Sequence, residues 1–181
     1  MPTKARLRLA AAAATIATAA FAGSAQPAVA ARHCAWANGN PNDITLTQAK
    51  HATLCLLNRQ RRAHGVKKIR ENRRLDKASQ RHASDMSRRN YFAHGDFVGR
   101  IQAAKYLRGA RGYTLGENIA WGSMDYATPA SIVKGWMNSP GHRANILNGR
   151  FHEIGLGIAR GAPVGGMSRA ATYVTDFGTR F

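Results

Sequence analysis

Glu153-Ile154-Gly155-Leu156-Gly157-Ile158-Ala159-Arg160 and Ala171-Thr172-Tyr173-Val174-Thr175-Asp176-Phe177 are two strand-like runs that close the chain. Both are short, apolar or β-branched in most positions, and bounded by turn residues. Between them, Gly161 to Gly166 reads as a hairpin loop. Upstream the period changes from two to about 3.6. Thr47 reads as the N-cap of a helix whose apolar positions include Ala49, Ala52, Leu56 and Ala63, with Gly65 as its stop. A second helix runs from Arg74 or Leu75 to Arg89, carrying Leu75, Ala78, His82 and Met86 on one face, with Asn90 as stop. A third follows Asp96, with Ile101, Ala104 and Leu107 aligned and Gly109 ending it. Thr128 caps a fourth through Pro129 at its first position, ending near Met137. Helices come first and strands late, a pattern of α+β packing rather than alternating βαβ units.

The N-terminus reads as a leader, not as fold. Lys4, Arg6 and Arg8 precede an alanine-rich apolar stretch from Leu9 to Ala22, and Ala28-Val29-Ala30 is an A-x-A cleavage signal. Residues 1–30 are therefore expected to be a signal peptide, cut after Ala30 or Ala31, and 31–45 a Pro/Asn/Gly-rich arm. Residues 46–181 make one domain, of a size that supports a single core. No other stretch reaches the roughly 18 apolar residues of a membrane span, so the mature product is expected to be soluble, secreted and monomeric. Cleavage would take three of the 27 basic residues and none of the nine acidic ones, leaving a net charge of about +15, suited to anionic partners. The basic residues, among them Arg59, Arg61, Arg62, Lys67, Lys68, Arg81 and Arg88, are scattered without interleaved aromatics. They read as a solvated basic face, and export argues against nucleic acid as the target. Cys34 and Cys55, an even count in an exported chain, read as a disulfide tying the arm to the first helix. Closing that loop contributes roughly 3 kcal/mol in the chain-entropy picture.

Polar residues concentrate in three glycine-punctuated places: Asn90 to Gly95, Gly116 to Trp121, and Trp136 to Leu147. The opening Leu56-Leu57-Asn58-Arg59, then Gly116-Glu117-Asn118-Ile119-Ala120, Ser139-Pro140-Gly141-His142-Arg143, Glu153-Ile154-Gly155-Leu156-Gly157 and Tyr173 to Gly178 come in fixed order. Together they resemble the CAP superfamily (cysteine-rich secretory, antigen 5 and pathogenesis-related proteins), of the bacterial SCP-domain type. The resemblance runs from about Cys34 to the C-terminus. It implies a three-layer α-β-α sandwich whose cleft carries two histidines and two acids, which bind a divalent cation in some members. His94 and His142 match the histidines and Glu117 the first acid; Ser139 stands where many members carry the second.

By chemistry alone, His94, His142 and Glu117 could form a three-ligand zinc site with an open position for activated water, although the background charge opposes an added dication. Glu153 could supplement it, or instead cap its strand or pair with Arg150. Ser139 and His142 invite a serine–base reading, but Pro140 and Gly141 between them describe a tight turn ending the fourth helix. His82 reads as a satisfied structural histidine, and His33, His51 and His64 as surface residues. A structural reading of the cleft has His94 and His142 as a buried bonded pair, with Glu117 fixing one ring's tautomer. Asn118 and Asn145 read as loop residues satisfying backbone groups. The resulting expectation is a non-enzymatic extracellular binding module for an anionic envelope polymer, lipid or protein. A metal-assisted hydrolase, or a structural envelope protein with a vestigial cleft, are the alternatives.

Overall fold

The structure, a computed structural model, describes residues 33–181; the expected signal peptide and its cleavage site lie outside the described residues. His33 to Ile44 forms successive turns. Helix α1 (Leu46–Ala63) starts at Thr45, not Thr47. The Thr45 side chain accepts from the Gln48 N–H, and Gln48 reaches back to the Thr45 N–H, a reciprocal capping box that outcompetes Thr47 because it satisfies two orphan donors at once. The short strand β1 (Arg70–Glu71) follows. In α2 (Arg73–Arg89), Asn72 caps the start, and Asn90 closes the end in the left-handed conformation, which asparagine tolerates.

Asp96 caps α3 (Phe97–Ala103) by accepting from the Gly99 N–H. The strand β2 (Tyr113–Ser123) is a long element that the periodicity does not announce. A 3-10 turn (Met124–Ala127) leads into α4 (Pro129–Asn138), capped by Thr128 as expected. The expected tight turn after α4 is instead a joint between two helices, for α5 (Pro140–Leu147) begins at once. Proline drives the preceding residue out of helical conformation, so Ser139 is extended; the same ring is preorganised for a first helical position. The closing strands are β3 (Glu153–Arg160) and β4 (Ala170–Arg180).

The strands make one sheet in the order β1-β3-β4-β2. β4 pairs antiparallel with both long neighbours, and β1 runs parallel to β3. β2 is thus an edge strand, and the polar motifs gather over that edge. Helices α1, α4 and α5 cover one face, and α2 with α3 the other, the expected three-layer sandwich.

Alternation along β3 assigns its two faces. Ile154, Leu156 and Ile158 enter the larger core with Leu57, Val133, Trp136, Phe151, Tyr173 and Phe177. Gly155 and Gly157 turn toward α2, where an added Cβ would overlap the backbone of Leu75 and of Ser79. Glycine at these two positions lets the helix rest its main chain directly on the sheet.

Cys34 and Cys55 are bonded, with 5.7 Å between their Cα atoms, as the sequence predicts. One basic residue belongs to no surface. Arg61 is buried and donates to four carbonyls: Lys67 at 2.8 Å, Ile146 at 2.7 Å, and Asn148 and Phe151 at 3.0 Å. Among the described residues no helix is long and apolar enough to cross a membrane.

Candidate functional site

Glu117 sits midway along β2 with its side chain on the α2–α3 side of the sheet, in the row that contains Gly155 and Asp176. Its side chain is 1% exposed. Both oxygens are engaged: Oε1 is 2.7 Å from His94 Nδ1, and Oε2 accepts from Arg100 Nη2 at 2.5 Å. Arg100, in the second turn of α3, also donates through Nη1 to the His94 carbonyl at 2.7 Å. One guanidinium therefore holds both the carboxylate and the loop that carries the histidine.

His94 is not half of a buried pair, since its side chain is 52% exposed. Nδ1–H donates to Glu117, the orienting role the sequence suggested, and leaves Nε2 on the exposed side of the ring. His142 lies in the first turn of α5, on the other side of the β2 edge. Burial, followed by the charge of His94, lowers its pKa below the ordinary histidine value, so it is a neutral imidazole at pH 7.

Asn118 and Asn145 are in regular structure rather than loops, and they join the halves. Asn118 is fully buried in β2 and donates to the His142 carbonyl at 3.1 Å, while Asn145 of α5 donates to Asn118 Oδ1 at 2.9 Å and to the Glu117 carbonyl at 3.1 Å. Ser139 stays at the α4–α5 joint as the extended N-cap, with no side-chain capping bond. Glu153 is remote from this network: it accepts from Asn72 and from the Tyr106 hydroxyl, each at 2.7 Å, with Arg180 Nε 3.8 Å away. It does not pair with Arg150 and does not supplement the cleft. His82 is the structural histidine expected, buried with Nε2 2.9 Å from the Ala93 carbonyl.

Two members of the site, Arg100 and Asp176, escaped sequence reasoning. Asp176 is fully buried on β4, directly opposite Glu117, with Oδ2 2.7 Å from the Ser79 hydroxyl and Oδ1 without a donor. Burial raises its pKa well above the ordinary carboxyl range, and the charge of Glu117 raises it further. Asp176 is therefore the carboxyl that keeps a proton. Glu117 is also raised by burial, but Arg100 pulls it back. The available signal for Asp176 was a lone acid on the inward-facing row Thr172, Val174, Asp176, with no other charge between Ala170 and Thr179.

The arrangement is a charge network rather than a ligand shell. The His94, Glu117 and His142 trio considered for zinc does not fit the ion as placed, because the Glu117 oxygens are committed to His94 and Arg100. Among the described residues no group of three or more His, Cys, Asp or Glu side chains converges on a possible metal position.

Comparison with known proteins follows this geometry. A family profile described as "Cysteine-rich secretory protein family" matches residues 54–175. The chain is 37% identical over 111 residues to an uncharacterized protein, YkwD, of Bacillus subtilis (strain 168), covering 60% of this chain and 42% of that one. The chain spans well under half the length of the curated relatives it matches. Among solved structures it is similar to an extracellular protein containing an SCP domain from Bacillus anthracis, with 27% identity, a TM-score of 0.56, and coverage of 74% of this chain and 43% of that one. It shares its fold with a cysteine-rich secretory protein from Staphylococcus aureus, with 19% identity, a TM-score of 0.57, and coverage of 77% and 38% respectively.

Proposed function

The chain belongs to the cysteine-rich secretory protein (CAP) family, and from that premise we propose that it works outside the cell as a non-enzymatic binding module for an anionic envelope ligand. Export is supported by the leader-like N-terminus and by the Cys34–Cys55 disulfide, a bond that persists in oxidising compartments. The similar Bacillus anthracis protein is described as extracellular.

The observation that carries the binding reading is the commitment of Glu117. Glu117 cannot itself serve as a general base, because both its oxygens face His94 and Arg100, and among the described residues no hydroxyl or thiol is hydrogen-bonded to the His94 ring as a nucleophile for it to activate. Ser139 joins two helices, and its hydroxyl makes no capping bond; no orienting base engages it. What the chain offers instead is a rigid cleft floor set in a strongly basic surface, with a net charge of about +15 once the leader's three cations are removed. Those features suit recognition of an anion more than bond cleavage.

The test is cosedimentation of the secreted protein with purified bacterial cell wall and with anionic vesicles, over a salt series. Wall binding that falls steeply between 50 and about 300 mM salt is expected, because screening weakens long-range attraction. Binding indifferent to salt, or none at low salt, would overturn the proposal. Stoichiometric zinc uptake by calorimetry, abolished in His94→Ala, would instead favour the hydrolytic reading.

A further inference from the structure

Helix α2 turns one face to the sheet and the other to solvent, and the outer face is hollowed on both flanks. One hollow, of about 440 Å³, lies between α2 and the segment holding Tyr91 and Arg100, with Arg81, Asp85 and Arg88 on its wall. A second, of about 280 Å³, lies on the other flank against β3 and includes Arg160. Gln80, Ser84 and Arg88 line both. This row, spaced by four residues, is the low ridge across which the hollows communicate.

The charges along this furrow are unequally satisfied. The acid Asp85 is already used: its Oδ2 accepts from the Tyr91 hydroxyl at 2.6 Å, and Arg89 stands 3.9 Å from Oδ1. Arg100 is held by Glu117. Arg81 and Arg88 have no hydrogen bond or ion pair to any described residue, and both are exposed. Seven residues apart on one helix, they stand about 10 Å from each other along the axis. Around them lie the hydroxyls of Ser84 and Ser87 and the Gln80 amide, with Leu46, Ile158 and Ala159 lining the β3 flank. None of the large exposed hydrophobic residues, such as Trp36, Met124 and Tyr126, lines either hollow.

We propose that this furrow over α2, centred on Arg81, Ser84 and Arg88, is the docking site for a linear polyanion built of hydroxyl-bearing units joined through phosphodiesters. The inference rests on the binding reading above and gives it a location beside the histidine cleft, whose Arg100 also lines one of the hollows. Two unpaired arginines match two phosphodiesters of one chain, since the guanidinium fork suits phosphate oxygens. Ser84, between the two arginines and held by Gln80 Nε2 at 3.2 Å, keeps its hydroxyl proton for the intervening polyol or sugar. An elongated depression crossed by a row of polar side chains fits a strand of polymer. A lipid surface would call for the exposed aromatic and apolar side chains that the furrow lacks.

The experiment uses the secreted chain and poly(glycerol phosphate) oligomers as probe, with affinity measured by calorimetry at several salt concentrations. Phosphatidylglycerol vesicles and neutral dextran are the comparison arms. The furrow variant is Arg81→Ala with Arg88→Ala; both residues are exposed on a helix where alanine is well tolerated. The charge-matched control is Lys67→Ala with Lys68→Ala. The expected result is at least a tenfold loss of oligomer affinity in the furrow variant, a loss of threefold or less in the control, and a shallower salt slope only in the former. Equal losses in both variants would overturn the furrow while leaving general anion binding intact. Failure of the unmodified protein to bind any anionic probe at low salt would overturn the binding reading itself. Vesicle binding as tight as oligomer binding would replace the polymer with a membrane surface.

Discussion

Asp176 and Glu117 stand directly opposite one another on β4 and β2, two buried carboxyls side by side beneath α2. Only one can be ionised without placing two negative charges in a low-dielectric layer, and Arg100 decides which. Its guanidinium reaches Glu117, so the proton stays on Asp176, where Oδ1 gains in Glu117 the partner it otherwise lacks. The acid that supports the cleft's carboxylate comes from a neighbouring strand rather than from the helix that ends at Ser139.

That pairing sets a pH dependence whose sign is fixed. Asp176 has a folded pKa above its unfolded one, so the folded chain binds the extra proton and stability declines as the pH rises from about 4. Asp176→Asn imitates the protonated acid, since the amide can accept from Ser79 and donate to Glu117. The variant is expected to melt a few degrees higher at pH 7, at about 2–4 °C per kcal/mol of relief, and to match the unmodified protein near pH 3. Thermal melts from pH 3 to 8 check this; a lower melting temperature at pH 7 would mean that Asp176 is ionised in the fold.

His82 acts in the opposite direction. Burial first, and then the charge of Arg100, lower its pKa to about 4, against the raising influence of the Ala93 carbonyl and Asp85. The unfolded chain takes up this proton near 6.5 and the folded chain does not, so the stability His82 contributes is present above about pH 6.5 and lost as the pH falls toward 4. His82→Gln keeps a donor for the Ala93 carbonyl but cannot titrate. Between pH 7.5 and 4 the unmodified protein should lose about 3 kcal/mol relative to the variant, measured by urea unfolding at each pH. Parallel curves would show that His82 is protonated within the fold.

The glycines of β3 make a sharper structural prediction. In Gly157→Ala the new methyl would meet the carbonyl carbon and oxygen of Ser79, main-chain atoms in the middle of α2 that cannot swing aside. Lifting the helix would also disturb the Ser79–Asp176 contact at 2.7 Å. A destabilisation of about 3 kcal/mol is expected, with a smaller one for Gly149→Ala, where nothing lies within 4 Å. Chemical denaturation of the two variants checks the contrast.

These residues also show what sequence alone can reveal. Helices α1, α2 and α4 and strands β3 and β4 were legible because hydrophobic period and end signals agree along them, whereas α3, expected to run on to Gly109, ends at Ala103; the disulfide was legible because two cysteines leave one pairing. β2 was not, since its centre holds Glu117 and Asn118, polar residues buried there for their partners on α3 and α5, which erases the alternation a strand is recognised by. α5 was hidden because Ser-Pro-Gly is chemically a turn signal as well as a helix start. His94, Glu117 and His142 were legible as special residues, whereas Asp176 becomes visible only when β4 is laid beside β2, and Arg100 only when α3 is packed over Glu117.

Arg61 was concealed by its charge, and it carries the last prediction. It reads as one more surface cation, yet it is 1% exposed and has no carboxylate partner. Burial lowers its pKa, but arginine stays protonated at any accessible pH, so the charge is dispersed over four carbonyls through Nε, Nη1 and Nη2. These carbonyls belong to the end of α5, the turn after it and the loop after α1, segments with few other ties. A lysine at this position would keep the charge, but a single ammonium cannot reach acceptors arrayed around a planar fork. Arg61→Lys is therefore expected to cost about 3 kcal/mol, since it strands buried acceptors and concentrates a buried cation. Because no anion is involved, adding salt should leave that loss unchanged, where an ion pair would be screened. Urea unfolding of the variant at 50 mM and 1 M salt measures both quantities. A loss below about 0.5 kcal/mol, or one that salt removes, would mean that Arg61 contributes through its charge and not through the shape of its donors.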